Sequence, residues 1–99
     1  MNFSTSRADG VATLHIAGEL DTLTASHLQP SVDALLAERN PRIVVDASGL
    51  RLIDCRGVGG LVFLYKKAKE YGGVVTVDGL CAQPLAIFKL LGLDRVMLA

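Results

Sequence analysis

The sequence predicts a single α/β domain, a mostly parallel central sheet with helices packed on it, in the order β-β-α-β-α-β-α-β. Three observations lead there. The apolar period switches between two residues and about 3.6 residues along the chain, as it does when strands alternate with helices. Two of the helical segments lie between strand-like segments, and such crossovers join parallel neighbours. At 99 residues, 51% of them hydrophobic, the chain is long enough for one core and too short for a second.

The elements follow in order. Asp9-Gly10 between two short segments is a hairpin signal whose twist matches paired strands. After it, Ala12, Leu14 and Ile16 point one way and Val11, Thr13 and His15 the other, a half-buried strand that places His15 on the exposed or partly covered face. Gly18-Glu19-Leu20-Asp21 breaks the alternation. Ala25, Leu28, Val32, Leu35 and Leu36 then share one helical face, with Thr22 or Thr24 as the expected cap and Asn40-Pro41 as the stop. Arg42 to Asp46 is a continuous apolar run, the type expected of a strand covered on both faces.

A second helix carries Val58, Leu61, Val62, Tyr65, Ala68 and Tyr71 on its inner side and Lys66, Lys67, Lys69 and Glu70 on its wet side, with Gly72-Gly73 closing it. Val74 to Val77 reads as the next strand and Asp78-Gly79 as its exit. Pro84 fits the first turn of a third helix that buries Leu85, Phe88 and Leu91 and stops at Gly92. Arg95-Val96-Met97 is the expected last strand.

Composition excludes several functions. Acids and bases balance at ten each, which argues against nucleic acid or an anionic membrane held by bulk charge. The N-terminus has neither the basic nor the apolar region of a signal peptide, and no run reaches the roughly 18 apolar residues of a spanning helix. A cytoplasmic protein without direct membrane insertion is expected. Cys55 and Cys81 then read as reduced thiols; with His15 and His27 they make no metal-ligand spacing, and no cofactor is expected.

The chemistry, if there is any, concentrates in Leu52 to Gly60, at the carboxyl end of a central strand, where open α/β sheets place ligands and partners. Cys55 at a helix N-terminus beside Arg56 has the setting of a nucleophile, but Asp54 opposes its ionisation and neither histidine is delivered there as a base. Gly57-Val58-Gly59 sits at a strand-helix junction like a nucleotide loop, yet lacks the spaced glycines and Lys-Ser/Thr of a P-loop. A plain helix cap accounts for Asp54 and the glycines and leaves Arg56 unexplained.

Five short motifs, in order, resemble one family. They are Gly18-Glu19-Leu20-Asp21 with Thr22 and Ala25, Val44 to Leu50, Ile53 to Gly59, Ala68-Lys69 with Gly72-Gly73, and Leu91 to Val96. Together they resemble the STAS domain, and within it the bacterial anti-sigma factor antagonists, over nearly all of residues 1–99. The resemblance implies a binding module and no enzyme. Its partner is an anti-sigma factor, often a serine kinase of the histidine-kinase-like ATPase fold, and phosphorylation of a loop serine ends the interaction by adding about −1.5 to −2 charges to the interface.

Carried over by position, the implied partner-binding residues are Glu19, Asp21, Thr22, Asp54, Cys55, Arg56, Gly57, Val58 and Gly59. Cys55 stands at the phosphoserine position and Arg56 beside it, so a kinase finds no hydroxyl there. The usual off-switch is expected to be missing. Two alternatives follow from the same resemblance: a small cytoplasmic STAS subunit of a lipid ABC transporter, and a redox-sensing module using Cys55. Many members continue into a last helix, whereas this sequence ends at Ala99, so the helix is either absent or cut off by truncation; if it is absent, a sheet face left open favours weak self-association.

Overall fold

The computed structural model describes residues 2–98; the two terminal residues of the expected domain, 1 and 99, lie outside the described residues. The elements are β1 (Asn2–Ala8), β2 (Val11–Leu20), α1 (Ala25–Ala37), β3 (Arg42–Ile53), α2 (Cys55–Glu70), β4 (Val74–Asp78), α3 (Ala82–Leu90) and α4 (Asp94–Met97). The sheet runs β1-β2-β3-β4, with β1 antiparallel to β2 and the other pairs parallel. Asp9 and Gly10 both take positive φ (53° and 78°), the conformation that a two-residue turn between twisted strands requires.

The sheet order explains which face is dry. Two crossovers that step in the same direction across a sheet, each right-handed, put their helices on the same side. Accordingly α1 packs on α2, and up to the register shifts the buried residues of each strand share one parity: Ala12, Leu14 and Ile16 on β2, Ile43, Val45 and Ala47 on β3, Val75 and Val77 on β4. Leu28, Val32 and Leu35 of α1, Val58, Leu61, Leu64 and Ala68 of α2, and Phe88 of α3 close that core. The expectation that both faces of the third strand are covered is therefore corrected: Val44 and Asp46 point to the other face and are only half-buried.

Four local readings also change. The third strand does not end at Asp46 but runs to Ile53, and its buried residues past Ala47 are three apart, Leu50 and then Ile53. Register shifts between β2 and β3, after His15 and again after Gly18, break the period of two that a sequence reading relies on. For the same reason Gly18 to Leu20 stays within β2. Leu91 is 54% exposed, and Pro84 takes the buried place expected of it. Asp94 to Met97 is a helical turn, and the last strand reduces to one parallel bridge between Val77 and Leu98. Gly72 and Gly92, at φ 83° and 73°, stop α2 and α3 as expected. Among the described residues no helix is long and apolar enough to cross a membrane.

Candidate functional site: a turn and a helix start joined by one carboxylate

Two chain segments meet at the carboxyl ends of β2 and β3. The first is the turn Asp21 to Thr24. Asp21 Oδ1 accepts from the backbone N–H of Leu23 (2.9 Å) and Thr24 (3.0 Å). In return the Thr24 hydroxyl accepts from the Asp21 N–H (2.9 Å) and donates to the Glu19 carbonyl (2.8 Å). This reciprocal arrangement closes the turn ahead of α1; Thr24 holds the N-cap position, one of the two expected, but its hydroxyl makes no cap bond into the helix and serves the turn instead. Held rigid in between, Leu23 stands 82% exposed.

The second segment is the start of α2. Asp54 is its N-cap, in extended backbone, with Oδ1 accepting from the N–H of Arg56 (3.0 Å) and Gly57 (3.1 Å). Its other oxygen crosses to the first segment, where Oδ2 accepts from the Thr22 N–H (2.9 Å) and the Thr22 hydroxyl (3.2 Å). A single carboxylate thus caps a helix and fastens the neighbouring turn to it. These donors, the Gly57 N–H foremost and then those of Thr22 and Arg56, hold its carboxyl below the usual range against the opposing effect of partial burial.

Gly57 lets the two segments approach. A Cβ there would lie 2.6 Å from the Leu20 carbonyl oxygen, 2.7 Å from Leu20 Cγ and 2.8 Å from Ile53 Cγ1. The Leu20 carbonyl also accepts the Asp54 N–H (3.1 Å), so the end of β2 is seated directly against the first turn of α2. On the far side the amide of Gln83, in the first turn of α3, bonds both the N–H (2.9 Å) and the carbonyl (2.8 Å) of Ile53, which fixes the end of β3.

The sequence-predicted residues divide accordingly. Thr22, Cys55, Arg56 and Gly59 are exposed on one patch, whereas Gly57 and Val58, also expected to face a partner, are buried. Asp54 spends both oxygens inside the site, and Asp21 spends its Oδ1 there. Glu19 is exposed and lies 3.9 Å from Arg51. Cys55 and Cys81 are free and exposed. Among the described residues no ion pair involves Arg56, and no three of His, Cys, Asp and Glu are placed to share a metal ion.

Sequence reasoning missed part of the surface. A groove of about 490 Å³ runs between α1 and α2, with Ser26 and Gln29 on one wall, Cys55 and Arg56 at its end and Phe63 on the other wall. Phe63 is 37% exposed with the Lys67 ammonium 5.8 Å from its ring centre. Phe63 was legible as an apolar residue off the inner stripe of α2, and Leu23 as an apolar residue in the turn before α1.

Comparison with known proteins agrees with this architecture. The family described as "Mlab, STAS domain" matches residues 3–99. RsfB, an anti-sigma-F factor antagonist of Mycobacterium tuberculosis, is 30% identical over a 92-residue alignment that covers 88% of this chain and 70% of RsfB. An anti-sigma factor antagonist from Mycobacterium paratuberculosis has a TM-score of 0.85 at 26% identity, covering 97% of this chain and 81% of that one. Bacillus SpoIIAA in its unphosphorylated form shares the fold, with a TM-score of 0.85 at 16% identity over 98% of this chain and 86% of that one. With the sheet order, the helix start and the match over almost the whole length in agreement, the chain belongs to the STAS domain family.

Proposed function

We propose that this chain is an anti-sigma factor antagonist: a cytoplasmic binding module, without catalysis of its own in that role, that sequesters an anti-sigma factor. The observation that carries the reading is the Asp54 carboxylate. It joins the Thr22 turn to the first turn of α2 and so presents Leu23, Thr22, Cys55 and Arg56 as one preformed patch beside the groove. Loops held on a rigid scaffold are where binding residues concentrate, and a preformed patch avoids an ordering cost on association. The likeness to RsfB supports the class of partner. The partner we propose is a serine kinase of the histidine-kinase-like ATPase fold.

Cys55 occupies the first turn of α2 with a thiol where the family resemblance places the phosphoacceptor hydroxyl. Binding is therefore not ended by phosphorylation at this position. The test uses each purified anti-sigma serine kinase of the source organism. Leu23→Ser and Arg56→Glu should each weaken binding about tenfold or more, the effect of a central interface residue, at unchanged melting temperature. With ATP the wild-type loop should take no label and Cys55→Ser should take it. Binding indifferent to both surface variants rejects the patch, and a permease or transport ATPase found as the partner instead moves the chain to the transporter-subunit reading.

A further inference from the structure

The uncovered face of the sheet carries a hydrogen-bonded chain that the docking edge does not use. His15 on β2 and Asp46 on β3 are direct partners in the parallel register, and their side chains meet with Nδ1 and Oδ2 3.0 Å apart. From the other ring nitrogen, Nε2, the Ser6 hydroxyl of β1 lies at 3.2 Å. Ser4 is the residue directly opposite His15, so Ser6 is its diagonal neighbour, a separation that the length of an imidazole spans.

The backbone fixes the acid. Just after Asp46 the β2–β3 register shifts, and the Ser48 N–H (3.1 Å) and hydroxyl (2.8 Å) both turn back onto Asp46 Oδ1. Oδ2 is left for His15. A bulge that re-aims a side chain is a common device in sheets. The Ser48 hydroxyl first, then its N–H, then His15 hold the Asp46 carboxyl below the usual range, so it is an acceptor only. In the neutral imidazole, therefore, Nδ1 bears the proton and Nε2 offers its lone pair to the Ser6 hydroxyl. That is the tautomer a general base requires. The other ionisable group at this register step is Asp78 of β4, opposite Asp46.

We propose that Ser6, His15 and Asp46 form a nucleophile-base-orienter relay that makes Ser6 an acceptor for activated acyl and phosphonyl esters. With p-nitrophenyl acetate, Ser6 Oγ forms a bond to the acyl carbon while its proton passes to His15 Nε2. The acyl-oxygen bond of the ester breaks and p-nitrophenolate leaves with the electron pair. The imidazolium keeps its Nδ1–H, donated to Asp46 Oδ2, and releases the Nε2 proton to solvent. The product is acetyl-Ser6 and one equivalent of p-nitrophenolate. Ser6 is exposed, so a donor reaches it without any movement of the fold. A positioned base contributes roughly 10²- to 10⁴-fold, and this open face places the relay at the low end.

The experiment uses the full chain with Cys55 and Cys81 replaced by alanine, so that thiols do not compete for the reagent. A fluorophosphonate probe and p-nitrophenyl acetate are each followed by intact mass and peptide mapping. One adduct on Ser6 is expected, lost in Ser6→Ala and formed about 100-fold more slowly in His15→Gln. Asp46→Asn should also slow it, because an amide that donates to Nδ1 moves the ring proton to Nε2. The wild-type rate should rise with pH in a single step that His15→Gln lacks, a readout that a merely structural tie between strands does not move. Ser6 is exposed and His15 and Asp46 are half-buried, and thermal melts of each variant verify the fold. Label spread over several hydroxyls, or a Ser6 rate unchanged in His15→Gln, overturns the proposal.

Discussion

Gly57→Ala tests whether the start of α2 is clamped as described. In a bare helix, replacing glycine with alanine stabilises by up to about 1 kcal/mol. Here the new methyl would lie 2.6–2.8 Å from three atoms of Leu20 and Ile53. Attractive contact between carbons lies at about 3.5–4.0 Å, so each approach is about 0.7 Å or more too close. None of the three atoms yields easily. One is a backbone carbonyl already bonded to the Asp54 N–H, and the other two are inner side-chain carbons, not flexible ends, of residues 0% and 3% exposed. Overpacking of this kind costs about 1–3 kcal/mol, which outweighs the propensity gain and leaves the variant about 1–2 kcal/mol less stable. Gly59, two residues on, is the internal control. A Cβ there meets nothing within 4 Å, so Gly59→Ala should gain about 0.5–1 kcal/mol. The two variants should differ by about 2 kcal/mol in urea unfolding and by about 10 °C in melting temperature for a domain of this size. A Gly57→Ala protein that melts at or above wild type refutes the clamp.

Acid should loosen the start of α2 and, separately, the Asp46 bulge. Asp46 and Asp54 have folded pKa values below their ordinary one, so their contribution is full above the unfolded value of about 3.9 and disappears as pH falls through the lower folded values. Urea midpoints should therefore fall in that window, and Asp54→Asn should flatten part of the decline. Asp21→Ala removes the acceptor for the Leu23 and Thr24 amides and should cost about 0.5–2 kcal/mol. Because the Thr24 hydroxyl reciprocates, the double variant with Thr24→Ala should be less than additive by calorimetry. Gln83→Ala leaves the N–H and carbonyl of Ile53 without their side-chain partner and should cost about 1–3 kcal/mol. Hydrogen exchange should quicken at the Ile53 amide first, and an unchanged rate there would show that the Gln83 bond does not hold the end of β3.

The sequence by itself determined what is local and periodic. Asp9-Gly10 between alternating segments identified the hairpin, since few residues tolerate two successive positive φ values. The stripe Leu28, Val32 and Leu35 identified α1, and Gly72 and Gly92 marked helix ends, because helical period and left-handed stops are properties of short stretches of chain. Motif order then led to the family, and the carboxyl ends of the strands to the site. Tertiary structure alone decided the rest. Val44 looked like a residue of a doubly covered strand because apolar content does not record on which side the crossovers fall; the sheet order puts both helices on one face. Asp54 read as a simple helix cap, yet its second oxygen holds Thr22, 32 residues earlier in sequence, and only folding creates that neighbour. The inward place of Gly57 depends on Leu20 and Ile53 in the same way. The Ser6, His15 and Asp46 chain needs three strands in one register with a bulge after the third residue, and register is set by cross-strand packing rather than by any one segment.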